Sequence, residues 1–306
     1  MMDGKLVNVR GKNLYVEVYG SEKNPPVLYL HGGPGESCFD FTYHQKNRLK
    51  DDLFVIAIDQ RGVCRSEAIE EGEAFGLMDL VEDCEALRKY FNLEMWSLIG
   101  HSFGGYLSLL YAATYPDSID RVIFECPTFD FELTSRFLLK KTAKVAKKYG
   151  QEELAERCLA LTANPDKTIQ QLTEEYMDLS DELGENRMEI YRYNNDNPTD
   201  YYSAYTDEEW EEFYDRSEIH YNILREEGKL FESLLPLLSK VKNPMMLMTS
   251  DHDAATCEKH IEAFEKDAEN GTIYHFENCG HTPHYEDADH FKRIVVEYLK
   301  VKTVVK

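Results

Sequence analysis

The stretch Met95-Trp96-Ser97-Leu98-Ile99-Gly100-His101-Ser102-Phe103-Gly104 decides how this chain is read. An apolar, strand-like run ends in Gly-x-Ser-x-Gly, and a helix-like run follows it. Small residues two before and two after Ser102 permit a sharp turn from strand to helix. Such a turn lifts the hydroxyl above a sheet edge and sets the next N–H at a helix N-terminus. A nucleophilic serine needs that placement. The pentapeptide alone is equally compatible with a helix-capping turn, so its surroundings must separate the two readings.

Working outward, residues 27–30 and 54–58 are short continuous apolar runs, as expected of strands buried on both faces, and each ends in a glycine-rich loop. Residues 14–19 alternate with period two behind a turn at 10–13, which predicts an antiparallel hairpin at one sheet edge. Leu80, Cys84, Leu87 and Phe91 recur at helical spacing before the strand at 95–99. Beyond Ser102 a helical stretch stops at Pro116, and Val122-Ile123-Phe124 reads as another buried strand. This alternation predicts an α/β class, a mostly parallel doubly wound sheet.

Between 129 and 236 the character changes to charged helical segments (136–149, 151–161, 168–183) and an aromatic-acidic tract at 200–214. Strands resume at 245–248 and 272–276, separated by an amphipathic stretch at 257–268. A last helix places Phe291, Ile294, Val295, Tyr298 and Leu299 on one face. The expected organisation is a core of residues 1–128 and 237–306 interrupted by a helical cap at 129–236.

A chain of 306 residues, 42% hydrophobic, can bury a sizeable core. No run approaches the roughly 18 to 20 apolar residues that cross a bilayer, and residues 1–11 carry no signal-like apolar segment, so a soluble, cytoplasmic protein is expected. Seven cysteines without paired spacing read as reduced, mostly buried thiols. A net charge of -23 disfavours nucleic acid and anionic membrane as partners. It serves solubility, and it would also favour cationic substrates, including those with a free amino terminus. Oligomeric state is not legible.

Acyl transfer by a serine needs a base, an acid that orients the base, and donors for the oxyanion. In open α/β sheets the residues after strand ends converge on one crevice. His31-Gly32-Gly33-Pro34-Gly35 follows the run at 27–30, and its glycines would let backbone N–H groups approach a substrate oxygen. Gly33 and Phe103 are the expected oxyanion donors, each contributing about 2.7 to 4 kcal/mol of transition-state stabilisation, with Gly32 beside the substrate. Ser250-Asp251-His252-Asp253 and Gly280-His281-Thr282-Pro283 follow the last two strands. His281 is the expected base and Asp253 the acid. Asp251 competes for that role, and either aspartate could instead cap a helix. His252, Asp253, His281 and His284 could alternatively ligate a metal, but no H-E-x-x-H or paired cysteine spacing accompanies them. No metal or cofactor is expected.

Together His31-Gly32-Gly33-Pro34-Gly35, Asp59-Gln60-Arg61-Gly62, Gly100-His101-Ser102-Phe103-Gly104-Gly105 and Gly280-His281-Thr282-Pro283 resemble the proline iminopeptidase family of α/β hydrolases. The order serine, acid, histidine is also that of the superfamily. The resemblance implies an α/β-hydrolase fold, with Ser102 as nucleophile, Asp253 as acid and His281 as base, while Asp59 and Arg61 brace loops. Cys64 stands where the pattern usually has glycine, and Phe103 where tryptophan is frequent. Relatives that remove an N-terminal proline hold the α-amino group with cap carboxylates. Ser217-Glu218-Ile219 resembles that segment, with Tyr214 one turn before it. Glu218 would then pair with the substrate ammonium, or be a solvated helix-face glutamate. The implied function is release of N-terminal proline, or another small residue, from short peptides through an acyl-enzyme. An esterase, lactonase or amide hydrolase for a small apolar acyl group would use the same triad, and a non-catalytic ligand receptor would keep the same fold. Tyr201, Tyr202, Tyr205 and Tyr214 could line the pocket or simply pack.

Overall fold

The computed structural model describes residues 4–70, 72–193, 203–253 and 255–300; Tyr201, Tyr202 and the start of the tract at 200–214 lie outside them. Eight strands are β1 (Gly4–Val9), β2 (Lys12–Tyr19), β3 (Pro26–Leu30), β4 (Phe54–Ile58), β5 (Trp96–His101), β6 (Ile119–Glu125), β7 (Met245–Ser250) and β8 (Gly271–Phe276). They form one sheet in the order β1-β2-β4-β3-β5-β6-β7-β8. The β1–β2 and β2–β4 pairs are antiparallel and the rest parallel. The hairpin turns on Arg10 and Gly11, both at positive φ (49° and 84°), the conformation that matches strand twist in a two-residue loop.

Continuous apolar strands arise because successive side chains feed two cores. In β3, Leu28 and Leu30 join one cluster with Ile56, Leu98 and Phe124, whereas Val27 and Tyr29 join the other with Val55, Ile99 and Ile123. Helices α2 (Leu77–Tyr90) and α3 (Phe103–Thr114) cover the first face, and α1 (Phe39–Leu49) and α10 (Ala288–Lys300) the second. The sequence reading missed α1, because Thr42 and Gln45 lie buried among its aromatics and break the apolar stripe. It also placed the β5 strand one residue early: Met95 is exposed, and the strand continues to His101.

Between β6 and β7 the described residues hold helices and no strand. Helices α4 (Phe131–Lys148), α5 (Glu152–Ala163) and α6 (Ile169–Asp181) build a core of their own from Leu139, Ala146, Leu154, Cys158, Leu172 and Tyr176. Helix α7 (Asp207–Glu227) instead turns Phe213 onto Val63 and Cys64, and Leu224 into the main core. Asp130 caps α4, Thr168 and Thr206 open α6 and α7 with capping boxes, and Gly228 closes α7 at φ 79°. Helices α8 (Glu258–Asp267) and α9 (Pro283–Glu286) complete the chain. All seven cysteines are free and buried. Among the described residues no helix is long and apolar enough to cross a membrane.

From β3 the chain crosses to β4 on one side, and from β5 to β6 on the other. The sheet therefore switches direction between β3 and β5, opening a crevice at their carboxyl ends. The loop at 31–36 and Ser102 both enter it.

Candidate active site

Ser102 stands between β5 and α3 at φ 52° and ψ -116°, outside the regions a side chain prefers, a strain of order 1–3 kcal/mol. Its amide donates to the Glu125 carbonyl at 3.0 Å, and its carbonyl accepts from Gly105 at 2.9 Å and from Thr128 at 3.3 Å. The small residues around it are dictated by backbone contact. A Cβ on Gly104 would lie 2.0 Å from the Leu30 carbonyl oxygen, and one on Gly100 2.3 Å from the Gly104 carbonyl oxygen. The turn therefore depends on glycine at both positions.

Across the crevice, Gly33 adopts φ 104° and Gly35 φ 100°. The amides of Gly33 and Phe103 donate to no protein acceptor among the described residues, so both remain available to a ligand. Phe103 starts α3, and its fully buried ring stacks on Tyr106 at 5.9 Å. Gly32 is buried against the serine: a Cβ there would sit 3.1 Å from Ser102 Cβ and 3.1 Å from His101 Nδ1. His31 holds this loop down, its Nε2 accepting from the Gln60 amide at 3.0 Å while Nδ1 donates to the Gly32 carbonyl. Burial lowers the His31 pKa to about 4, which keeps the neutral tautomer this pattern requires.

His281 Nδ1 and Asp253 Oδ1 are 2.7 Å apart, and the Asp253 side chain is 1% exposed. Asp253 also accepts from the amides of Ala255 and Thr256 at 3.0 and 2.9 Å. Burial opposes ionisation of Asp253, but the facing imidazole and these donors prevail and hold it well below the usual carboxylate range. For His281 burial lowers the pKa, and Asp253 outweighs it and raises the pKa above 6.5. With Nδ1 engaged by the carboxylate, Nε2 is the nitrogen left for a reacting group. The imidazole lies 4.7 Å, centroid to centroid, from that of His101, the neighbour of Ser102.

Asp251 is half exposed and accepts from His275 and the Asn278 amide at 2.8 and 2.9 Å, joining β7 to the end of β8. It does not meet His281. The four potential metal ligands are likewise not brought together. His252 bonds the Glu189 carbonyl at 3.2 Å, and His284 is clamped between Glu125 at 2.9 Å and Asp40 at 3.2 Å. Asp253 and His281 do lie with Cys126 in a buried group whose ligand atoms fall within 4.8 Å. Two of those three atoms already bond each other, and burial keeps the Cys126 thiol protonated, a donor set ill suited to a cation.

Asp59 and Arg61 are consumed internally, Asp59 by Arg65 at 2.7 Å and the Cys38 amide at 2.9 Å, Arg61 by Asp83 through two 2.7 Å bonds. Cys64 has φ 43°, a backbone region that favours glycine, and its amide meets Ser217 of α7 at 3.4 Å. Ser217 also contacts Gly35, since a Cβ there would lie 3.1 Å from the Ser217 carbonyl oxygen. Glu218 and Tyr214 are exposed on α7, Glu218 next to the Ser217 that meets the glycine loop. They share the side of α7 on which Tyr221 reaches Met177 of α6 at 3.5 Å.

Sequence reasoning missed several groups in this crevice. Glu125 ends β6 and is fully buried, bonding both the His284 amide and imidazole; the strand-end rule could have found it. Glu125 and Asp40 outweigh burial and raise His284 to about 10, so it is an imidazolium at neutral pH. Lys141 of α4 donates to the carbonyl of His252, next to Asp253, and burial lowers it to about 8. Glu36, one residue past the glycine loop, approaches Gly32 so closely that a Cβ there would be 2.8 Å from Glu36 Oε2.

A family profile described as alpha/beta hydrolase fold matches residues 25–288. The chain belongs to the α/β-hydrolase family. This α/β hydrolase is 36% identical over 118 residues to a proline iminopeptidase of Neisseria gonorrhoeae, an alignment covering 37% of each chain. It spans less than half the length of the curated relatives it matches. Over the whole fold it resembles a proline iminopeptidase-related protein from Thermus thermophilus, with a TM-score of 0.71 at 20% identity, covering 97% of this chain and 96% of that one. An esterase from Exiguobacterium antarcticum superimposes with a TM-score of 0.64 at 18% identity, covering 97% and 99%. Both likenesses establish the fold, which proteins of different stated activity share.

Proposed function

We propose that this α/β hydrolase is a serine aminopeptidase that releases N-terminal proline, or another small residue, from short peptides. The observation that carries the reading is the buried 2.7 Å pair of Asp253 and His281, whose imidazole lies 4.7 Å from that of His101, the residue before a serine held at positive φ. The partial match to proline iminopeptidases supports the substrate class.

In this mechanism His281 Nε2 takes the Ser102 proton as Oγ bonds the scissile carbonyl carbon. The amides of Gly33 and Phe103 receive the oxyanion, and Gly32 leaves space for the acyl group. Collapse breaks the C–N bond, and His281 gives its proton to the departing amine. Water, deprotonated by His281, then attacks the acyl-enzyme, frees the N-terminal amino acid and restores Ser102. Asp253 stays ionised throughout and stabilises the imidazolium. The helices of 129–236 act as a cap that limits substrate length, with Glu218 and Tyr214 on α7 as its contribution to binding the substrate ammonium.

A screen of aminoacyl p-nitroanilides against simple p-nitrophenyl esters tests the reading. Preferential release of proline or a small residue, lost in Ser102→Ala along with fluorophosphonate labelling, is expected. Turnover of esters alone would replace it with an esterase of neutral acyl groups.

A further inference from the structure

We infer that Glu36 is a specificity residue of this site, a carboxylate on the loop after β3 that receives the α-ammonium of the substrate's N-terminal residue. The inference deepens the aminopeptidase reading and rests on Ser102 as the nucleophile.

Position comes first. The point where a Cβ on Gly32 would fall is 2.8 Å from Glu36 Oε2, 3.1 Å from Ser102 Cβ and 3.1 Å from His101 Nδ1. The carboxylate and the serine Cβ are therefore no farther apart than the first two lengths combined. Glycine at 32 is what leaves this space open.

The reaction sets the distance an ammonium anchor must meet. In an N-terminal residue the α-nitrogen is two bonds, about 2.5 Å, from the carbonyl carbon. That carbon waits about 3–3.5 Å from the attacking oxygen, and a charged N–H···O bond adds about 2.8 Å. The anchor must stand within roughly 9 Å of the serine hydroxyl. Glu36 satisfies this from the loop after β3, on the core side of the crevice and apart from any contribution of the cap.

Glu36 also lacks what its neighbours have. Asp40, Asp59, Glu125 and Asp253 each bond a protein cation or imidazole. Glu36 makes no hydrogen bond or ion pair among the described residues. Water reaches it, yet protein surrounds it closely enough that desolvation raises its pKa, the situation of a group inside a cleft. His284, Arg192 and, when protonated, His281 lower its pKa electrostatically, and Asp40 raises it. Arg192 stacks its guanidinium over Tyr285 at 5.0 Å and forms no ion pair with Glu36. An incoming ammonium, with three donors, would complete the carboxylate, and a neutral acyl group would leave it unpaired.

Two esters isolate this term: L-alanyl and L-lactyl p-nitrophenyl ester, which differ by an ammonium in place of a hydroxyl. At pH 7 the α-amino group, with a pKa of about 7.7–8.0, is mostly charged. Wild type should prefer the alanyl ester in kcat/KM. Glu36→Gln should cut that preference about 10- to 100-fold, with Glu36→Asp in between. Any general loss of activity or fold cancels in the ratio. A ratio in Glu36→Gln within twofold of wild type, or no alanyl preference in wild type, would overturn the inference. Failure of wild type to cleave L-alanyl p-nitroanilide while the ester ratio behaves as stated would sink only the peptidase reading. Turnover of neither ester would reject both.

Discussion

Asp253 and His281, 28 positions apart in the chain, are joined by a 2.7 Å bond at the ends of neighbouring strands, while Asp251 bonds His275 instead. Removing the Asp253 charge should leave the imidazole in the wrong tautomer. Asp253→Asn is expected to lower kcat by about 10³–10⁴. Asp251→Asn should stay within a few-fold of wild type, and the reverse ranking in steady-state kinetics would reassign the acid.

His281 must be neutral to accept the serine proton, and Asp253 holds its pKa above 6.5. Activity should therefore fall as pH drops, with the acid limb of kcat/KM above pH 6.5. A limb centred below 6.5 in a pH–rate profile would contradict this geometry.

Ser102 holds a backbone conformation that glycine adopts freely. Ser102→Gly should abolish turnover yet raise stability by about 1–2 kcal/mol, as strain of this size is released. Urea denaturation of both proteins checks it, and an unchanged or lower midpoint would refute it.

His284 is raised to about 10 between Glu125 and Asp40. A group whose pKa rises on folding stabilises fully below its unfolded value, and that contribution disappears as pH climbs through the folded one. Stability should decline from about pH 6.5 to 10. His284→Ala should cost about 3–5 kcal/mol at neutral pH by stranding Glu125, and flatten that decline. Thermal melts across pH, showing equal slopes in both proteins, would exclude the effect.

Much of the fold was legible locally. The apolar runs now in β3, β4, β6 and β7 could be read because both of their faces are buried, and the Arg10-Gly11 turn because its backbone suits few residues. Helix α1 was not, since Gln45 spends its amide on the carbonyls of His284 and Ala288, partners far away in sequence. Glu36 was passed over for a related reason. A glutamate after a glycine loop looks like a surface residue until β3 and β5 are set side by side.

By itself the sequence determined the alternation of strands and helices, the glycines that shape the turns at Ser102 and Gly33, and the chain order of serine, acid and histidine. These depend on period, conformational freedom and residue type, all properties of short segments. Only the tertiary structure joined Asp253 to His281 while sending Asp251 to His275, named the partners that Asp59 and Arg61 take, and brought Glu36 to the edge of the space over Gly32. Those outcomes depend on distances between strand ends far apart in the chain, which the sheet's reversal between β3 and β5 sets.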